Sequence, residues 1–428
     1  MLLTIHRGAK KIGGNCIELQ SSASRILIDF GLPLVDENRE RFDSDKIKNK
    51  SKEELIKSKI LPDIKGLYKD EEVAFDAILL SHSHQDHYGL LSFVNPDIPI
   101  YLSQGCKELI EISQFFGQTD FQPINAQFVK SWLPFKIGDF EITPYLVDHS
   151  AFDALAFLIE AEGKRIFYSG DFRGHGRKSV LFKKMLERPL NDITCLILEG
   201  SMFGRDKGEF QSETDVENKL AELLQDKERL YFVACSSQNI DRIVSIYKAC
   251  VRANRIFVID PYTALILHKL EKISDKIPQS DWGKNIRIFF VPNSYTAKMA
   301  EDKSLFKFKS AKITYEQIHD MRNQLVVKDT YMTKQIFAEK KYLENATLIY
   351  SMWEGYLSGV ESFWKDNEVP ILKIHCSGHA YVEELRKFVQ AIKPRYIVPI
   401  HTFLPEKYSE YLGSNIKLVN DGEEVDIL

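Results

Sequence analysis

The sequence predicts an α/β protein, and two observations carry that expectation. Apolar, β-branched runs of strand length alternate with segments of helical periodicity along the whole chain. Residues of ligand or catalytic type stand just after those strand-like runs: Asp29, His82, Asp171, Glu199, Ser236-Ser237, His375 and His401. In open α/β sheets, sites form outside the carboxyl ends of the strands, so such residues can converge.

The strand-like runs, in order, are Ile26–Ile28, Phe75–Leu80, Arg165–Tyr168, Cys195–Leu198, Leu230–Ala234, Arg255–Ile259, Ile286–Val291, Thr347–Tyr350, Ile371–Ile374 and Tyr396–Ile400. Between them, Ile240, Ile243, Val244, Tyr247 and Val251 share one helical face, as do Val382, Leu385, Phe388, Val389 and Ile392. The stretch 36–72 is highly charged and poorly periodic, and reads as a surface insertion with a helical piece near Lys52–Ile60. There is no internal repeat.

The 428 residues, 44% hydrophobic, suffice for two domains, and 11% aromatic content argues against disorder. No apolar run is long enough for a bilayer, and the first residues lack the pattern of a signal peptide. A cytoplasmic location without a membrane partner is expected. The six cysteines form no CxxC pair, so reduced, buried thiols are expected in place of a structural zinc or redox pair. The net charge of −4 counts against bulk attraction to nucleic acid. Three basic stretches, Lys46 to Lys59, Arg173 to Lys184 and Lys298 to Lys312, read as solvated faces, yet they permit a charged groove.

Ser81-His82-Ser83-His84-Gln85-Asp86-His87 carries the chemistry. His82 and His84 alternate as they leave a strand and point to one side. Asp86 and His87 follow where a turn would bend the chain around a second point. Three imidazoles and a carboxylate so close together suit two adjacent divalent ions of zinc type. Further ligand candidates are His149 and Asp171, and Gly170 permits a tight turn that lets the Asp171 carboxylate bridge two ions. No P-loop, GxGxxG fingerprint or GxSxG elbow is present, so no nucleotide cofactor is expected.

The order Asp29, HxHxDH, His149, Asp171 resembles the ordered motifs of metallo-β-lactamase-fold hydrolases, and residues 8–32 look like the opening of the ribonuclease J family. The chain then follows the pattern of the β-CASP nucleases: Glu199 matches the first additional motif, Ser377-Gly378-His379-Ala380 the second and His401 the third, while Ser236 to Arg242 looks like the serine/asparagine turn opening a β-CASP helix. The resemblance implies an αββα metallo-β-lactamase domain in two parts, 1–200 and 346–428, with an α/β β-CASP domain at 201–345 between them. It implies two zinc ions, with manganese as a substitute. His82, His84 and His149 hold one, Asp86, His87 and His401 the other, Asp171 bridges, and Asp29 supports a ligand from behind. Asp86, His379 and Glu199 are the catalytic candidates, with His379 donating a proton and Glu199 orienting it.

Ser377, Gly378, Ser237, Asn239 and His375 are candidate phosphate or substrate contacts. Ser377-Gly378 and Ser236-Ser237 each precede a helix, where free amides form an anion site; ordinary helix capping by serine is the competing reading. The charged insertion and Arg173-Gly174-His175-Gly176 depart from the family pattern, and His175 reads as a loop residue or a spare ligand. The C-terminal domain common in ribonuclease J enzymes is not expected here, which leaves the oligomeric state open. The resemblance implies a ribonuclease J-like 5′→3′ exonuclease and/or endonuclease acting on single-stranded RNA. The alternatives are a β-CASP nuclease acting on DNA and a catalytically silent RNA-binding scaffold. In the DNA-repair branch the third motif is usually Val, and His401 points to RNA.

Overall fold

The strand Arg25–Ile28 sends Ile26 and Ile28 into one apolar cluster and Leu27 into another; the strand Cys195–Glu199 does the same with Ile197 against Leu196 and Leu198. Side chains on a strand alternate between faces, so each of these sheets is covered on both sides. The computed structural model describes residues 1–36, 40–279, 281, 285–413 and 415–428. Residues 37–39 of the charged stretch lie outside the described residues. The chain divides into two units.

The first unit comprises Met1–Gly174, Lys178–Asp206 and Gly378–Leu428. One sheet runs, in spatial order, Glu424–Asp426, Leu2–Arg7, Cys16–Gln20, Arg25–Ile28, Ala77–Leu79, Ile100–Leu102, Ala126–Phe128. The other runs Tyr396–Ile400, Cys195–Glu199, Lys164–Tyr168, Leu155–Ala161, Phe140–Leu146, Phe135–Ile137. Their inner faces share one core, in which Ile5, Ile17, Ile26 and Leu79 meet Phe157, Ile166, Ile197 and Ile400. The outer face of the first sheet packs on helix Gln104–Phe115 through Cys106 and Ile110. The outer face of the second packs on helices Ser179–Glu187, Val382–Ile392 and Lys407–Leu412 through Phe182, Phe388 and Tyr408. The result is the expected αββα order of layers.

The second unit comprises His175–Arg177 and Lys207–Ser377. Its sheet is parallel throughout, in the order Lys312–Ile313, Ile286–Phe289, Ile256–Ile259, Leu325–Lys328, Leu230–Ala234, Ala346–Tyr350, Ile371–Lys373. The sequence boundary at 345/346 is therefore corrected. Ala346–Tyr350 pairs with Leu230–Ala234 along its length, and Ile371–Lys373 pairs beside it, so the second unit extends to Ser377. Strand periodicity alone does not say which sheet a strand joins.

Three other expectations are revised. The 36–72 stretch contains helix Lys52–Lys57 but is more than surface: Leu55, Leu61, Leu67 and Tyr68 are buried in the core of the first unit. Helix Ile240–Arg252 is rotated from its expected face. Val251 is exposed, while Arg242 and Ser245 are buried because both bond Glu213. The basic stretch from Arg173 is no solvated face at its start, since Arg173 is 1% exposed and Arg177 bonds Asp241, Ser245 and Glu217. The six cysteines are buried and none is in a disulfide, and among the described residues no helix is long and apolar enough to cross a membrane.

Candidate metal centre

Strand Ala77–Leu79 delivers the histidine motif, and the chain turns at His84 into the single helical turn Gln85–Tyr88. Two loops hold that turn. The Asp86 carbonyl accepts from the amides of Gly14 and Asn15, while the amides of Phe30 and Leu32 donate to the carbonyls of His87 and Gln85. Glycine is needed at position 31, because a Cβ there would fall 1.7 Å from the Asp86 carbonyl oxygen. Asp29 and His401 each follow a strand and adopt left-handed backbone, φ 57° and 55°. Such conformations are uncommon for residues other than glycine and mark local constraint at a site. Gly170, φ 54°, supplies the turn before Asp171, where a Cβ would press on the Leu155 carbonyl.

These elements bring together three groups of donor atoms, each within 4.8 Å: His82, His84 and His149; Asp86, His87, Asp171 and His401; Asp171, Glu199 and His379. Asp171 stands between the first two. Its Oδ2 is 3.2 Å from His87 Nε2, 3.6 Å from His401 Nε2, 3.8 Å from His82 Nε2 and 4.0 Å from His149 Nε2.

The imidazoles are oriented from behind. His87 Nδ1 donates to Asp29 Oδ2 (2.7 Å), which also accepts from Tyr168 Oη and Ser81 Oγ. His149 Nδ1 donates to the Gly378 carbonyl (2.7 Å), and His401 Nδ1 to Asn15 Oδ1 (3.0 Å). Each arrangement turns Nε2 toward Asp171. Metal-ligating histidines are usually held through their other ring nitrogen in this way. The buried atoms His82 Nε2, His401 Nε2 and Asp171 Oδ1 have no hydrogen-bond partner. Buried polar atoms left so are costly, and together they fit a site built for divalent cations. His149 Nε2 and His84 Nδ1, 3.2 Å apart, add nitrogen donors at the same place.

Electrostatics sets His87 apart from the other ligand imidazoles, since burial lowers the pKa of His401 as well. Burial holds the imidazoles of His82 and His149 well below the ordinary histidine value, and it takes His84 to about 4 against the pull of Asp86 and Asp171. These three are neutral at pH 7, the state a metal ligand requires. Burial also opposes the charged form of His87, but Asp171, Asp29 and Asp86 outweigh it and raise its pKa well above the ordinary value. His379 is opposed by burial and raised by Glu199 and Asp171.

Glu199, fully buried, ties His379 to the Asp171 loop. Its Oε2 is 3.3 Å from His379 Nδ1, and its Oε1 accepts from the amides of Phe172 and Ala380.

A profile of the Beta-lactamase superfamily domain matches residues 64–233, the span that holds the HxHxDH turn, His149 and Asp171. The chain has the metallo-β-lactamase fold over this span. Residues 371–416, which contain His379 and His401, match the Zn-dependent metallo-hydrolase RNA specificity domain. Among curated relatives, ribonuclease J of Helicobacter pylori is 22% identical over 98% of this chain and 60% of its own length. Ribonuclease J of Sinorhizobium meliloti is 22% identical over 80% of this chain and 60% of its own. The chain thus spans about 60% of the length of these relatives. A crystal structure of a protein of unknown function from Enterococcus faecalis V583 superimposes with a TM-score of 0.79 at 22% identity, covering 99% of each chain, and shares the fold.

Not every expected residue joins this domain. Ser237, Asn239, His375 and Ser377 belong to the second unit. Asn239, rather than a serine, caps helix Ile240–Arg252, and Ser237 Oγ bonds Thr263 Oγ1. His375 Nδ1 lies 3.1 Å from Arg242, and His175 Nε2 donates to the Ser377 carbonyl. The helix after Ser377 starts only at Val382, and the Ala380 amide is taken by Glu199. Sequence reasoning missed Ser81, Tyr168 and Asn15 as supports of the histidines. Tyr168 and Asn15 each carried a signal, a polar atom at the end of an apolar strand and an amide beside a glycine turn.

Proposed function

We propose that this chain is a metal-dependent hydrolase that cleaves RNA phosphodiester bonds with two zinc-type ions in the metallo-β-lactamase domain. The observation that carries the reading is the buried Asp171 carboxylate between two histidine groups, with three buried ligand-type atoms there lacking a hydrogen-bond partner. His82, His84 and His149 would hold one ion, Asp86, His87 and His401 the other, with Asp171 shared and manganese a substitute. Such ions supply, when bound, a lowered pKa for water and positive charge toward phosphoryl oxygens. The chain's own residues do the rest. Asp29, Asn15 and Gly378 fix the direction of the ligand imidazoles. Asp86 accepts a proton beside the attacking water, and Glu199 holds His379 in the protonated form that a leaving oxygen needs.

RNA is favoured by the match to an RNA specificity domain and by relatives named ribonuclease J. The resemblance of residues 8–32 and of the Ser377-Gly378-His379-Ala380 motif to ribonuclease J and β-CASP nucleases supports 5′→3′ exonuclease action, with or without endonucleolytic cuts. The test is incubation of the purified chain with end-labelled single-stranded RNA and DNA of the same sequence, 5′-monophosphorylated or 5′-hydroxyl. RNA is expected to disappear faster, with mononucleotides released first from the monophosphorylated end. Equal or faster loss of DNA under several divalent metals assigns the DNA reading. Mid-chain fragments appearing first assign endonuclease action, and no cleavage of either polymer by the metal-loaded chain assigns a silent scaffold.

A further inference from the structure

The parallel sheet of the second unit ends in a cavity of about 450 Å³, within the roughly 300–1,000 Å³ typical of small-molecule sites. Strand order explains its place. From Leu230–Ala234 the chain steps outward to Ile256–Ile259 and then Ile286–Phe289; from Leu325–Lys328 it steps the other way, past Leu230–Ala234, to Ala346–Tyr350. Right-handed crossovers send the intervening helices to opposite faces, and a crevice opens at the carboxyl ends where the direction reverses. Ser237 and Thr330, which follow the two strands on either side of that reversal, both line the cavity.

Three helices begin at this cavity: Pro261–Leu270, Ser294–Glu301 and Tyr331–Glu339. Asp260, Asn293 and Thr330 cap them by accepting the amides of Thr263, Thr296 and Thr333. Earlier amides in each first turn have no intrahelical acceptor, so the helix ends present partial positive charge. Side chains add more. Lys328, 6% exposed, lines the cavity with its Nζ 3.4 Å from Asp260 Oδ1. Burial works against that ammonium, but Asp260 outweighs it and the pKa lies above the ordinary lysine value. Asp329 also lines the cavity. Its Oδ2 accepts from Trp364 Nε1, while its buried Oδ1 has no partner. The rings of Tyr262 and Tyr295 stand 5.6 Å apart, and Tyr331 is 70% exposed.

Several helix starts beside an ion-paired lysine suit a phosphate. Tyrosine rings suit a flat base. An acceptor without a donor suits a base amino group or a sugar hydroxyl. We propose that this cavity binds one nucleoside monophosphate unit, its phosphate toward Lys328 and the helix starts, its base on the tyrosines and a donor group on Asp329. A free mononucleotide and one residue of an RNA chain share that chemistry. The choice of a nucleotide rests on the ribonuclease reading; the cavity does not.

The test is calorimetric titration of the full chain, as purified, with adenosine 5′-monophosphate, adenosine, inorganic phosphate and a cleavage-resistant phosphorothioate oligoadenylate. Wild type, Tyr331→Ala and Lys328→Met are compared. The monophosphate is expected to bind more tightly than adenosine or phosphate. Tyr331→Ala is expected to weaken the monophosphate or the oligoadenylate by roughly 10-fold, the worth of one base–aromatic contact. Loss confined to the monophosphate assigns a free mononucleotide, and loss confined to the oligoadenylate assigns a residue within a chain; either supports the site. Unchanged affinity for both in Tyr331→Ala, or a monophosphate no tighter than inorganic phosphate, overturns it. Should Lys328→Met fail to fold, the exposed Tyr331 carries the test alone. Labelled RNA is offered to the same preparations. Mutation-sensitive binding in a chain that cuts no RNA overturns the ribonuclease reading only, and insensitive binding in a chain that cuts RNA overturns this proposal only.

Discussion

Asp29 Oδ2 lies 2.7 Å from His87 Nδ1, and that contact decides which nitrogen of His87 faces Asp171. The carboxylate is fully buried and also gathers Ser81 and Tyr168. It therefore acts on the metal centre without reaching it.

Asp29→Asn tests this role, since asparagine tolerates the left-handed backbone at φ 57°. An amide cannot hold the imidazole as a carboxylate does. Metal affinity is expected to fall roughly 10–100-fold, the usual cost of losing such a partner. Competition with a chelator of known affinity measures it, with circular dichroism as the control for folding. An unchanged affinity would show that Ser81 and the backbone suffice to orient His87.

Asp171→Ala removes a carboxylate that lies within 4.0 Å of histidines of both groups. Turnover is expected to fall by more than the roughly 100–1,000-fold typical of a single lost transition-state contact. Elemental analysis should find metal content reduced, while the far-ultraviolet spectrum stays that of the native chain. Full metal content together with retained activity would remove Asp171 from the centre.

How much of this was legible depended on the range of the interactions. Strand runs such as Leu230–Ala234 and Tyr396–Ile400 were readable because burial on both faces leaves a continuous apolar string. The histidine motif was readable because its ligands are local in sequence. Which sheet a strand joins was not, and Ala346–Tyr350 was placed in the wrong part of the chain for that reason. The buried face of Ile240–Arg252 was also misread, because Arg242 is drawn inside by Glu213, 29 residues earlier. A charged pair of that kind has no hydrophobic period to betray it.

Acid should destabilise the metal-stripped chain through its neutral histidines. The His84 pKa is about 4 when folded against 6.5 for an ordinary histidine. Between those values the unfolded chain takes up a proton that the folded chain refuses. The contribution is present above the unfolded value and is lost as pH falls toward the folded one, on the order of 3 kcal/mol at most. His82 and His149 act in the same direction. His87 and His379, whose values are raised, act in the opposite one: their contribution is complete below the unfolded value and fades as pH rises through the folded one. The melting temperature after chelation is expected to drop between about pH 7 and pH 5, less steeply in His84→Asn. An equal slope in both proteins would show that His84 is not buried neutral.

His379 is the candidate proton donor for the departing sugar oxygen, whose alkoxide leaves poorly. Glu199 Oε2 lies 3.3 Å from its Nδ1 and Asp171 Oδ2 3.7 Å, so the charged ring is held at one nitrogen, and 24% of the side chain stays accessible. Glu199 and Asp171 outweigh burial and raise its pKa, which keeps a proton available near neutrality. The ring precedes helix Val382–Ile392 by more than one position, so the helix start does not set its charge; the two carboxylates do. His379→Ala is expected to slow cleavage of ordinary RNA by roughly 100-fold or more, the usual worth of a general acid. On a substrate whose leaving oxygen is replaced by sulfur, the loss should be much smaller, because a thiolate departs without a proton. Glu199→Gln should narrow the pH range of activity on the oxygen substrate from the alkaline side, since a histidine deprived of its carboxylate loses its proton at lower pH. Equal impairment of His379→Ala on both substrates, with metals still bound, would mean that His379 contacts phosphate or metal and that the proton comes from elsewhere.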